Sequence, residues 1–173
     1  STMAENLSQL IKINESYCLN EDPAAPYANI FSSGSSSCLK SLADEQLLLH
    51  LAFSQASKLT KITLGLPTDT RCPKTIKVFV NPDSSMDFDD AGSRIPIQTV
   101  NVSEIPSPDD SSTRDSGHSM LTITLAPLKW KNTQSLSIFV EDNHGAEFSA
   151  LTFFSVQGST NQGADLSKGM PSC

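Results

Sequence analysis

The chain has 173 residues, 38% of them hydrophobic, which suits one good-sized domain and is too little for two. Its 12 basic and 19 acidic residues leave a net charge of −7, which argues against nucleic-acid binding, because gripping phosphate backbones needs clustered Lys and Arg. No apolar run approaches the roughly 20 residues of a membrane span, and the first dozen residues lack the apolar stretch of a secretory signal.

Ser1 and Thr2 precede Met3, as a cloning scar precedes a native start. Leu7, Leu10 and Ile11 then share one helical face, and Asn6 can cap it, so a short N-terminal helix is expected within residues 1–15. Pro23, Pro26 and the serine-rich run 32–37 read as loop. From there the apolar period becomes two. Leu47, Leu49, Leu51 and Phe53 alternate with less apolar neighbours, as do Thr60, Ile62, Leu64 and Leu66. The same holds for Ile76, Val78 and Val80, for Ile95, Ile97 and Thr99, and for Leu121, Ile123 and Leu125. Leu136, Ile138 and Val140, then Leu151, Phe153 and Ser155, complete about seven or eight short strands separated by Gly, Pro, Asn, Asp and Ser clusters. No ten-residue helical pattern lies between them, which excludes βαβ units and leaves antiparallel sheets packed as a sandwich of jelly-roll length. Residues 103–119 read as a surface loop, and residues 159–173 as a flexible tail behind a domain spanning 16–158.

The chemistry-bearing residues are sparse. Cys18, Cys38, Cys72 and Cys173 contain no C-x-x-C pair, so neither a thioredoxin-type redox motif nor a zinc ribbon is expected, and the thiols read as reduced. No His pair has metal-ligand spacing. Gly117-His118-Ser119-Met120-Leu121 resembles a hydrolase nucleophile elbow, but Leu121 stands where the sharp turn requires glycine. Asp87, Asp89 and Asp90 could gather oxygens around Ca²⁺, although the spacing is not that of an EF-hand and an acidic turn is the plainer reading. His50 sits on an apolar strand and reads as a core or interface residue, whereas Glu141, Asp142, His144 and Glu147 read as an exposed turn. Lys58, Lys61, Lys74, Lys77, Lys129 and Lys131 form the main concentration of positive charge. Of these, Lys74, Lys77, Lys129 and Lys131, with Trp130, the only tryptophan, are the candidate partner-binding residues. Trp130 could equally pack in the core or, if exposed, hold a sugar ring. Charge reversal at Lys74 and Lys77 is expected to leave the fold intact.

Several segments resemble one family in its own order. They are Cys18-Leu19-Asn20, then Asp44-Glu45-Gln46-Leu47-Leu48, then Pro73-Lys74-Thr75-Ile76-Lys77-Val78-Phe79-Val80-Asn81. Met86-Asp87-Phe88-Asp89-Asp90-Ala91 follows, then Ser135-Leu136-Ser137-Ile138-Phe139-Val140 with Asn143-His144-Gly145, and finally Phe154 with Gly158. Together these resemble the PITH domain, the proteasome-interacting domain of thioredoxin-like proteins. The resemblance implies a jelly-roll β-sandwich similar to galactose-binding-like domains. It implies a non-enzymatic protein-interaction module that binds the regulatory particle of the 26S proteasome, without cofactor, as a monomer, in the cytoplasm and the nucleus. The W-C-G-P-C motif of thioredoxin is missing, so no redox activity is implied. The competing expectation is a small-molecule or carbohydrate-binding jelly-roll module.

Overall fold

The computed structural model describes residues 5–31, 37–82, 86–107 and 118–160, the side chain of His118 excepted. Most of the serine-rich run, most of the 103–119 segment, Gly117 of the elbow-like motif, Cys173 and the tail beyond 160 lie outside the described residues. Among the described residues, ten strands pair antiparallel throughout. They are β1 (Glu5–Asn6), β2 (Tyr17–Leu19), β3 (Leu39–Lys40), β4 (Leu47–Pro67), β5 (Pro73–Val80), β6 (Gln98–Asn101), β7 (His118–Thr124), β8 (Thr133–Asn143), β9 (Ala150–Leu151) and β10 (Phe153–Thr160). One α-helix, α1 (Phe88–Ser93), lies between β5 and β6.

The two strands expected at Leu47–Phe53 and Thr60–Leu66 are one continuous strand of 21 residues. Its first half pairs with β2 on one side and β8 on the other. Its second half pairs with β10 and β7. The register shifts between Ala52 and Ser57, so β4 leaves one layer and enters the other. One layer is β2–β4–β8–β5–β6 and the opposing layer is β1–β10–β4–β7, which is a sandwich built on a shared strand.

Alternation explains the core. Leu47, Leu49, Leu51 and Phe53 from the first half and Ile62, Leu64 and Leu66 from the second lie in one buried cluster with Ile76, Val78, Ile138 and Phe154. Leu59 joins them although its spacing from Ile62 is odd, because the pairing slips between Gln157 and Gly158 opposite Thr60 and resets which side faces inward. Each fully buried aliphatic side chain of this kind contributes about 1.5–3 kcal/mol relative to exposure.

The outer face of the first layer is also partly apolar. One cross-strand row runs Leu19, Leu48, Phe139, Lys77 and Thr99. Helix α1 and the residues before it cover part of this row. Met86 and Ala91 are buried against Leu48, Phe79 and Phe139, and Phe88 packs beside them. This is why Leu47, Leu48 and Leu49 form an unbroken apolar run: both faces of β4 are buried there.

The N-terminal segment is not an α-helix but a strand followed by two 3₁₀ turns, Ser8–Leu10 and Ile13–Glu15. Asn6 is not the cap of the first: the N-cap is Leu7, without a side-chain bond, and one residue ahead of it the Asn6 Oδ1 accepts from Ser8 N at 2.9 Å. The backbone on either side is committed elsewhere: Leu7 N donates to Val156 O, and Lys12 N to Ala52 O. That leaves no room for a continuous α-helix, and the segment is part of the sandwich through buried Leu7 and Ile11. At the other end, β10 continues through Ser159 and Thr160, which pair with Lys58 and Ser57, so the sandwich runs two residues past the expected boundary at 158.

Gly158 lies against the backbone of Lys58 at the slip in register, and a Cβ there would collide with the Lys58 carbonyl oxygen. Gly158→Ala is therefore expected to cost about 1–3 kcal/mol, the range for an overpacked interior. The readout is a lower urea midpoint with an unchanged slope.

Candidate functional site

Three asparagines organise the loops at the sandwich ends. Asn20, just after β2, has φ +69°, in the left-handed region that Asn tolerates better than other side chains with a Cβ. Its Nδ2 donates to Asp44 Oδ1 at 2.9 Å and to Gln46 O at 2.8 Å, and its Oδ1 accepts from Ala43 N at 3.1 Å. Asp44 Oδ1 also accepts from Gln46 N at 3.0 Å, closing the turn into β4. The Gln46 side chain donates to Glu141 O, at the far end of β8. Beyond β8, Asn143 Nδ2 donates to Phe148 O and to Ser149 Oγ, and Ser149 Oγ donates to Glu45 O at 2.7 Å. Asn143 Oδ1 accepts from the N–H of Gly145, whose φ of +122° is one that side chains disfavour. Motif segments about 25 and 100 positions apart thus meet at one end of the sandwich.

Asn81 does the same work at the opposite end. It follows β5 with φ +48°, accepts from Gln134 N and Ser135 N, and donates to Asn132 O. Sequence reasoning did not single out Asn20, Asn81 or Asn143 individually. The available signal was position: an Asn at the close of an apolar strand, followed at Asn81 by proline.

The candidate lysines do not form one surface. Lys74 sits at the start of β5, whereas Lys129 and Lys131 lie in the β7–β8 turn, near the strand's other end. About six strand residues, near 20 Å, separate the two ends. Lys77 is committed: its Nζ is 3.2 Å from Glu141 Oε1 and its side chain is only 17% exposed. The expectation that reversing Lys74 and Lys77 together leaves the fold untouched needs correcting, because Lys77→Glu would set a second carboxylate against Glu141 in a half-buried position. Trp130 is 0% exposed and belongs to the core, so it offers no ring to the surface. Its backbone carbonyl accepts from Leu59 N and from Thr133 Oγ1, each at 3.0 Å.

The remaining candidates have structural partners. Asp87 caps α1, its side chain accepting from Asp90 N at 2.9 Å while Asp90 Oδ2 accepts from Asp87 N. The backbone N–H of Asp90 holds the Asp87 carboxyl below the usual carboxylate range. Among the described residues, no group of three or more His, Cys, Asp or Glu is arranged to hold a metal ion. Asp142 Oδ1 accepts from Thr75 N, and His144 Nε2 donates to Val102 O at 2.8 Å. Cys18 and Cys72 are buried, and burial pushes the Cys72 thiol up to about 11 and Cys18 higher still, away from the reactive thiolate. Among the described residues, no helix is long and apolar enough to cross a membrane.

His50 lies in the outer row Tyr17, His50, Ser137 and Phe79. It stacks on Tyr17 with ring centroids 4.9 Å apart, and its Nδ1 shares a 3.0 Å hydrogen bond with Ser137 Oγ. Burial lowers its pKa below the ordinary 6.5. The unfolded chain then takes up the proton first, so the stability His50 contributes is complete above about pH 6.5 and is lost as pH falls below it. Urea midpoints at pH 7.5 and 5.5 are expected to differ more for the parent chain than for His50→Gln. Asn20→Ala removes three side-chain hydrogen bonds and is expected to cost about 1–3 kcal/mol. Asn20→Gly, which relaxes the backbone but restores no bond, should fall between the two.

Comparison with known proteins adds the family. The PITH domain model matches residues 1–170. The chain is 32% identical over 132 residues to thioredoxin-like protein 1 of Schizosaccharomyces pombe, a match covering 75% of this chain and 42% of that protein. It is 27% identical over 157 residues to PITH domain-containing protein 1 of Danio rerio, covering 88% and 69% respectively. This chain therefore spans less than half of the first relative. Among solved structures, the family 32 carbohydrate-binding module of Clostridium perfringens NanJ in complex with galactose has the same fold, with a TM-score of 0.58 at 10% identity, covering 90% of this chain and 99% of that one. With the family model matched along almost its whole length, this chain belongs to the PITH domain family.

Proposed function

We propose that this chain is a non-enzymatic protein-interaction module that binds the regulatory particle of the 26S proteasome, acting as a monomer in the cytoplasm and the nucleus. Membership of the PITH family is the observation that carries the reading. The roles of the motif residues support it. Asn20, Asp44, Gln46, Asn81 and Asn143 are engaged in holding turns and strand ends. Residues spent in this way build a scaffold, and recognition then falls to the loops and charged surface that the scaffold presents.

A carbohydrate-binding role is the second reading, favoured by the likeness to a galactose-complexed module. Such a site relies on an aromatic face open to a sugar ring. Here Trp130 and Tyr27 are buried, and Tyr17 is stacked on His50. The protein-interaction reading is therefore preferred.

A tagged pull-down from lysate, washed at rising salt and identified by mass spectrometry, tests the proposal. Enrichment of regulatory-particle subunits is expected. Their absence, with circular dichroism confirming a folded chain, would sink it. Lys74→Glu and the pair Lys129→Glu with Lys131→Glu probe the two ends separately, and only the end that binds should lose recovery and salt resistance.

A further inference from the structure

Ile97, ahead of β6, separates two surface depressions. One, of ≈ 300 Å³, lies among Phe79, Pro82, Met86, Arg94 and Ile95. The other, of ≈ 410 Å³, is walled by Gln98, Thr124, Pro127 and Lys129, with Trp130 also in its lining. Residues 126–129 close the second depression as a tight turn, with Lys129 N donating to Ala126 O at 3.2 Å. Pro127 takes the position such turns favour for proline. Leu128 follows and is 80% exposed, and across the Ile97 divide Ile95 is 92% exposed. Large aliphatic side chains held in water beside a depression mark contact surfaces.

A further observation defines the chemistry of an occupant. The charge here is opposite to that of the whole chain. Lys129 is exposed and has no ion-pair partner among the described residues. Lys131 is two residues on. Lys58 and Lys61 flank the stretch of β4 whose Leu59 N–H binds the Trp130 carbonyl, and Lys61 pairs with Thr124 of the wall. Four lysines thus gather at one end of a chain of net charge −7. Local cations call for an occupant that supplies negative charge, and the exposed aliphatics call for apolar side chains beside them.

We propose that the paired depressions receive an extended acidic segment of a partner protein. A carboxylate of that segment meets Lys129, and an apolar side chain rests between Ile97, Pro127 and Leu128. The proposal rests on the protein-interaction reading above and names the chemistry of its contact.

Trp130 is the only tryptophan, so a nitrogen-15 spectrum of the full chain carries a single indole signal that reports on this wall. The probe is acetyl-Asp-Leu-Glu-Leu-Asp-amide. Saturable movement of the indole signal is expected, with Lys129→Glu weakening binding at least tenfold and Leu128→Ser weakening it while preserving charge. Both substitutions are on exposed turn residues, and an otherwise unchanged spectrum confirms folding. The proposal is overturned if the indole signal stays fixed at millimolar peptide, or if Lys129→Glu binds as the parent does. It is also overturned if a Lys-Leu-Lys-Leu-Lys peptide, sodium acetate or galactose moves the signal equally well, the last of these indicating a sugar site instead. In the pull-down, the Lys129→Glu, Leu128→Ser double variant should recover at least tenfold less regulatory particle than the parent. Equal recovery would overturn the pocket and leave the proteasome reading standing. If the parent itself recovers none, the proteasome reading fails, and the peptide titration alone decides the pocket.

Discussion

A strand of 21 residues running through both layers of a sandwich has to bend, and the rest of this structure is arranged around that bend. The first half of β4 fixes where β2 and β8 lie, and through β8 it fixes β5 and β6. The second half fixes β10 and β7. Where the register shifts, Ser57 faces Thr133, and both Thr133 and Leu59 hydrogen-bond to the carbonyl of Trp130. The largest side chain in the protein is thus seated where the two layers part. Its burial follows from filling that gap.

The family's motifs gain a physical meaning from this arrangement. The C-L-N and D-E-Q segments lie about 25 positions apart and form one hydrogen-bonded cluster at the entry to β4, because Asn20 adopts a left-handed backbone that turns its amide toward Asp44 and Gln46. Asn81 clamps the approach to β8 at the other end. Backbone groups at strand ends have lost their ladder partners, and a short amide side chain can satisfy a donor and an acceptor at once. These residues hold the strand ends in shape.

Electrostatics divides the surface. Lys77 is spent on Glu141 within the outer face of the first layer, and Lys74 stands at the end held by Asn20 and Asn143. The lysines around the β7–β8 turn belong to the other end, where apolar side chains are also exposed. A likeness in fold to sugar-binding modules carries no site with it, and here Trp130 and Tyr27 are buried and Tyr17 is stacked on His50.

The sandwich class, most strand positions and the inward set of side chains were readable because a period of two survives in any half-buried strand. His50 is buried, as a lone His among apolar strand residues suggests, but on the outer face of the first layer. Helix α1 was missed because six residues with one Asp cap have the composition of an acidic turn, and only packing on Leu48, Phe79 and Phe139 makes them helical. The N-terminal turn was overread because its spacing fits a helix, while pairing with β10 decides its shape. The sequence alone determined a PITH-type scaffold with no redox motif and a net negative charge, since these are properties of residue identity and order. Which lysines share an end, that Trp130 is enclosed, and that Ile97 borders both depressions were decided only by the tertiary structure. Contacts between residues far apart in sequence depend on where β4 bends, and no local pattern records that bend.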